Sequence, residues 1–281
     1  MMVPFVTTIP EVRAVVDTVR GVGKSVGFVP TMGALHEGHA SLIRAAKAAS
    51  DFVVVSAFVN PTQFGPKEDY LHYPRTLEAD QQVCTDAGAD LLFGPLVQEM
   101  YPADSRAYVG VDELDVGLCG TSRPGHFRGV CTIVTKLFNI VRPDKAHFGR
   151  KDYQQARIIQ QLVRDLNLTI EIRVEPTIRE PDGLALSSRN RLLSAEERLA
   201  APGIYRALQQ VKERASNGEI DVARLESALA AEISAIPGAK VDYAKIIDAD
   251  SLKPLARLDR PAVAAVAVFV GSTRLIDNVP L

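Results

Sequence analysis

The 281-residue chain is short of several things, and each shortage excludes a class of protein. There are three cysteines, Cys84, Cys119 and Cys131, scattered and without CxxC spacing. A disulfide framework and a structural zinc site are therefore not expected, and a reducing, cytoplasmic setting fits. Charge of one sign is lacking too: the formal net charge of −2 gives no electrostatic case for nucleic acid. Long apolar runs are missing. The longest, Ala262 to Val270, is far too short for a membrane-spanning helix. The N-terminus has no basic region ahead of an apolar stretch, so no signal peptide is expected. Tryptophan is absent and there are no repeats or low-complexity tracts, but 47% hydrophobic and 23% charged residues are ordinary for a globular protein.

What is present is an alternation of short apolar runs with amphipathic stretches. Strands are expected at Val26–Val29, Phe52–Val59, Asp90–Phe93, Lys145–Phe148 and Thr169–Val174. Helices are expected at Ile9–Val19, His39–Ala49, Thr76–Ala87, His126–Val141 and Asp152–Leu166. Phe52–Val59 is almost continuously apolar, as in a strand covered on both faces. The pattern predicts an α/β fold with a Rossmann-like, doubly wound parallel sheet over residues 1–177. Beyond the Glu180-Pro-Asp-Gly183 turn come helices at Ala195–Ser216 and about 221–235, then strands at Lys240–Ile247 and Ala262–Val270. A smaller α+β domain over 178–281 is expected.

Gly21-Val-Gly-Lys24-Ser25 resembles the end of a P-loop, but Thr18 stands where the first glycine is needed and the strand follows rather than precedes it. The segment Pro30-Thr31-Met32-Gly33-Ala34-Leu35-His36-Glu37-Gly38-His39 is more informative, because it joins an expected strand to an expected helix. Ligands of open α/β sheets bind at the carboxyl ends of strands, and helix N-termini favour anions. Two imidazoles there suit the charge that develops on a phosphate. A pair of loop histidines without chemistry is the alternative; the spacing is not HExxH, and no third metal ligand lies close.

Four further loops carry chemistry. Asn60 and Gln63 follow the second strand and offer donors and acceptors to a small polar substrate. Gly149-Arg150-Lys151-Asp152 opens a helix, with Lys151 suited to phosphate, Asp152 to a ribose hydroxyl or a helix cap, and Gln155 one turn on. Leu186-Ser187-Ser188-Arg189 resembles a phosphate clasp. Arg123, His126 and Arg128 precede a helix as a basic cluster that fits an anion or plain surface basicity equally well, and Asp80 lies in an acidic first helical turn.

Taken together, PTMGALHEGHASLI at 30–43, FVNPTQFGPKEDYLHYPRT at 58–76, RPGHFRGV at 123–130, FGRKDYQQ at 148–155 and LALSSRNRLLS at 184–194 resemble the pantothenate synthetase (pantoate–β-alanine ligase) family, with HEGH as its form of the HIGH signature of nucleotidylyltransferases. The resemblance implies Mg2+·ATP-dependent joining of pantoate to β-alanine through pantoyl adenylate, in a homodimer whose C-terminal domain closes over ATP. It implies ATP contacts from Pro30 to His39, Gly149 to Asp152, Ile178 and Leu186 to Arg189. His36, His39, Lys151 and Arg189 take the catalytic roles, with His39 as proton donor. Met32, Asn60, Gln63, Arg123, His126 and Gln155 fall to pantoate and β-alanine, and Asp80 to magnesium. Two positions depart from the family pattern: Arg150 replaces the usual Glu or Gln, and Leu186 the common Met. Another adenylyltransferase, or a nucleotide-binding regulator, would share the HEGH turn, but the Gln63–Gln155 pair suits a small hydroxy acid.

Overall fold

A computed structural model describes residues 2–66, 68 and 70–281. The chain divides into two compact units, the first comprising residues 1–115, 123–150 and 155–176, the second residues 116–122, 151–154 and 177–281.

The first unit holds strands β1 (Phe5–Val6), β2 (Val26–Thr31), β3 (Phe52–Ala57), β4 (Leu91–Phe93), β5 (Lys145–Gly149) and β6 (Glu171–Glu175). They form one sheet in the order β1-β4-β3-β2-β5-β6, with every described pairing parallel. The α-helices described up to residue 165 are α1 (Ile9–Gly21), α2 (Glu37–Ala49), α3 (Leu77–Ala87), α4 (Val97–Met100), α5 (Leu118–Ser122), α6 (His126–Val141) and α7 (Tyr153–Asp165), with α5 belonging to the second unit. From β2 the chain steps outward through β3 to β4, then returns to lay β5 on the other side of β2. The strand order therefore reverses between β2 and β5, the position where open α/β sheets hold ligands.

Local sequence explains the elements. Thr8 and Glu11 close a capping box at the start of α1, and α3 stops at Gly88, whose φ of 85° suits glycine. Val53, Val54 and Val55 of β3 are fully buried, as expected of a strand covered on both faces. Residues 22–25 join α1 to β2. The two-residue β1 is too short to announce itself in the sequence.

In the second unit, β7 (Ala239–Asp248), β8 (Ala262–Val270) and β9 (Thr273–Pro280) form an antiparallel sheet with β8 central. Helices α8 (Ala195–Ala200), α9 (Gly203–Ser216) and α10 (Val222–Ser234) complete it. Leu208, Leu225 and Leu229 share a core with Ala264, Val266 and Val268 of β8. The single helix expected over 195–216 is two. Pro202 lacks the N–H that a continuous helix would need, and the chain turns there. Strand β9 escapes the sequence reading because its polar residues Arg274, Asp277 and Asn278 break the apolar run; the signal for it is Gly271, which turns the β8–β9 hairpin at φ 58°.

Candidate active site

The loop after β2 is built on strained backbone held by a buried carboxylate. Gly33 (φ 81°) and Ala34 (φ 51°) are both left-handed, which costs a non-glycine residue about 1–2 kcal/mol. Asp80, 3% exposed in the first turn of α3, accepts the Ala34 N–H at 3.1 Å, the Leu35 N–H at 2.8 Å and the Thr76 hydroxyl at 3.1 Å. Such charge-assisted bonds contribute about 1.5–3 kcal/mol each and offset the strain. A Cβ on Gly33 would stand 3.0 Å from Asp80 Oδ2. Thr31 adds a bond to the Ser56 carbonyl at 2.6 Å and accepts the Gly33 N–H at 3.1 Å.

Asp80, expected to serve magnesium, anchors main-chain amides here. Among the described residues no group of three or more His, Cys, Asp or Glu side chains stands together to hold a metal. Ala34 and Leu35 give their N–H groups to Asp80, and the Leu35 side chain packs in the core with Ile43 and Val55.

His36 and His39 sit at the N-terminus of α2. The His36 Nδ1 accepts the Gly38 N–H at 3.1 Å, and the His39 Nδ1 accepts the His36 N–H at 3.3 Å. Their rings lie 4.1 Å apart, tilted by 41°. A ring nitrogen that accepts carries no proton, so the neutral form of each ring holds its hydrogen on Nε2. Glu37 is exposed and pairs with Arg44.

The loop after β3 is assembled around Gln63, 7% exposed. Its Oε1 accepts from Asn60 Nδ2 at 3.1 Å, and its Nε2 donates to Met32 Sδ at 2.9 Å, joining this loop to the one after β2. Asn60 is 1% exposed. It also donates to the Gly129 carbonyl at 3.1 Å, and its Oδ1 accepts from the Tyr101 hydroxyl at 2.9 Å and the Thr62 hydroxyl at 2.9 Å. Asn60 thus supports Gln63, and Arg123 and His126 tie down the same loop. The His126 ring meets the Gln63 carbonyl through Nδ1 at 2.8 Å and Arg123 Nη1 through Nε2 at 3.1 Å. Since arginine only donates, Nε2 accepts and Nδ1–H donates to the carbonyl. Arg123 is in turn held by both oxygens of Glu68, at 2.8 and 2.6 Å. Burial pushes the Glu68 carboxyl up, but its bonds and charge pairing with Arg123 outweigh that and hold it below the usual carboxylate range. Arg128 instead lies over the Tyr108 ring, 5.1 Å from its centroid.

In the second unit, residues 178–187 form a hairpin. Leu186 N–H meets the Ile178 carbonyl at 3.0 Å, and Gly183 turns the chain at φ 95°. Ser187 caps the short helical turn Ser188–Leu192 by accepting the Arg189 N–H at 3.3 Å. Lys151 and Ser187 line one small cavity together with Asn190 and Asp277. Lys151 Nζ lies 3.8 Å from Asp152 Oδ2, Arg150 is exposed, and Gln155 is half-buried in the first turn of α7. Sequence reasoning missed Tyr101, Glu68 and Asn278. Their partners lie 41, 55 and 127 positions away, and no local pattern announces them.

A paired-imidazole helix N-terminus at the point where a parallel sheet reverses its strand order places polar chemistry where open α/β sheets hold ligands. Comparison with known proteins narrows this. The family model for pantoate-beta-alanine ligase matches residues 4–280. The pantothenate synthetase of Moorella thermoacetica is 55% identical over 98% of this chain and 97% of its own, and that of Pseudomonas putida strain W619 is 53% identical over 97% and 96%. The crystal structure of pantothenate synthetase from Thermus thermophilus superposes with a TM-score of 0.93 at 46% identity, covering 98% of both chains. That of the Francisella tularensis ligase, complexed with beta-gamma ATP and beta-alanine, does so with a TM-score of 0.81 at 36% identity, covering 99% of this chain and 97% of its own. The chain belongs to the pantoate–β-alanine ligase family, and its reaction is the ATP-dependent formation of pantothenate.

Proposed function

We propose that the two imidazoles at the start of α2 act on the α-phosphate of ATP while the pantoate carboxylate attacks it. The carboxylate oxygen forms a bond to the α-phosphorus, the bond to the bridging oxygen breaks, and pyrophosphate leaves with its electron pair. The β-alanine amine then adds to the acyl carbon of pantoyl adenylate, AMP departs and the amine loses a proton. No enzyme nucleophile is needed, so positioning and charge stabilisation carry the chemistry.

The observation that carries this reading is the acceptor role of both Nδ1 atoms, which makes Nε2–H the donor of each neutral ring. Gln63, oriented by Asn60 and Met32, offers the remaining hydrogen of its amide to pantoate and β-alanine, with Gln155 as a second pantoate contact. Lys151, Ser187, Ser188 and Arg189 meet the phosphates, Asp152 the ribose, and Pro30 to His39, Gly149, Arg150, Ile178 and Leu186 complete the ATP contacts. Magnesium enters as the counter-ion of ATP; among the described residues no group of three or more His, Cys, Asp or Glu side chains could hold it without the nucleotide. A homodimer in the cytoplasm is proposed from the resemblance and from three free, buried thiols. No described helix is long and apolar enough to cross a membrane.

The test is product release. With ATP and pantoate alone, pyrophosphate forms once per active site and AMP stays with the enzyme as adenylate; adding β-alanine releases AMP and pantothenate in equal amounts. ADP, or no pyrophosphate until β-alanine is present, contradicts the order of steps.

A further inference from the structure

Residues 151–154 group with the second unit, although Arg150 before them and Gln155 after them belong to the first. Their ties explain the grouping. The Lys151 carbonyl accepts from Asn278 Nδ2 at 3.0 Å. The Tyr153 hydroxyl donates to the Ala249 carbonyl at 2.7 Å. Gln154 Oε1 accepts the Cys119 N–H at 3.1 Å, and its Nε2 donates to the Gly117 carbonyl at 3.2 Å.

Asn278 is itself fixed. It is 4% exposed on β9, and its N–H donates to Asp277 Oδ1 at 2.7 Å. Asp277 is gripped by both ends of the Arg179 guanidinium at 2.6 and 2.9 Å, and that guanidinium stacks on Tyr205, 3.7 Å from the ring centroid. A rigid line thus runs from Tyr205 through Arg179, Asp277 and Asn278 to the main chain of Lys151. Lysine is a flexible point charge whose reach depends on where its Cα stands. A displacement of about 1 Å in a group that meets a reacting phosphate can cost up to about a hundredfold.

We propose that Asn278 is a positioning residue for ATP: by holding the Lys151 carbonyl it makes β9, and not the strand leading into Lys151, set where that ammonium stands. This rests on the reading that Lys151 meets ATP phosphate, and the experiment separates the two. Lys151→Ala tests the reading: unchanged ATP kinetics overturn it. Asn278→Ala is then compared in the wild-type and Lys151→Ala backgrounds. The expected result is a KM for ATP raised about tenfold in the wild-type background, a KM for pantoate within about twofold, and no added effect once Lys151 is gone. An equal loss in both backgrounds, or KM values for ATP and pantoate rising together, overturns the proposal. Should Asn278→Ala fail to fold, Tyr153→Phe removes a second tie of the same segment and carries the same expectations.

Discussion

The Nδ1 of His39 accepts the main-chain N–H of His36 at 3.3 Å, so one imidazole caps the helix through Nδ1 and, in the proposed mechanism, acts on phosphate through Nε2. The two roles are separable. Asparagine places an acceptor near the Nδ1 position and nothing near Nε2. His39→Asn is expected to keep stability within about 1 kcal/mol of wild type, while adenylate formation falls about a hundredfold to a thousandfold. Single-turnover pyrophosphate release beside urea denaturation checks both; parallel losses of stability and rate would make His39 a structural residue alone.

Asp80 holds the loop after β2 by two main-chain amides. Asp80→Ala leaves the Ala34 and Leu35 N–H groups without their carboxylate, at a cost of about 2–4 kcal/mol in unfolding free energy. The KM for ATP rises with it. The magnesium concentration for half-maximal rate at fixed ATP stays as in wild type; an increase in that concentration alone would return Asp80 to magnesium.

Gly129 tests how Gln63 is placed. It faces the turn after β3 so closely that a Cβ would stand 2.4 Å from the Thr62 carbonyl oxygen and 2.7 Å from Gln63 Cα, both main-chain atoms with little room to yield. Gly129→Ala is expected to displace Gln63 and lower kcat/KM for pantoate by more than about tenfold, with ATP binding measured by calorimetry unchanged. A pantoate kcat/KM near the wild-type value would show that Gln63 does not need this support.

How much of this was legible in the sequence depends on distance along the chain. Strands, helices and the histidine turn follow from local periodicity and glycine placement, and helix α6 stands where its pattern puts it. What escaped is long-range hydrogen bonding. Asn60 and His126 carry polar groups that read equally well as ligand contacts or as internal supports. The fold brings Gly129 to Asn60 and the Gln63 carbonyl to His126, internal partners that no local pattern announces. Pro202 is visible in the sequence, but the apolar spacing continues on both sides of it and hides the break.

His147 gives a pH signature. It is 1% exposed on β5, with Nδ1 2.9 Å from Glu175 Oε1. Burial holds its pKa below the ordinary value, with Arg173 and Lys145 adding to that, against the opposing pull of Glu175. The unfolded chain therefore takes up this proton first. The contribution of His147 is complete above about pH 6.5, the unfolded value, and declines as pH falls below it toward the lower folded value. Urea unfolding of wild type and His147→Gln between pH 8 and 5 should show the stability difference shrinking with acidity; a constant difference would contradict the depressed pKa.

The transfer of oxygen tests the mechanism most directly. Attack by the pantoate carboxylate on the α-phosphorus leaves one carboxylate oxygen on AMP when β-alanine displaces it. With pantoate labelled with 18O in its carboxylate, mass spectrometry of the products should find one 18O in each AMP and none in pyrophosphate. Label in inorganic phosphate, or AMP free of 18O, would contradict an adenylate intermediate.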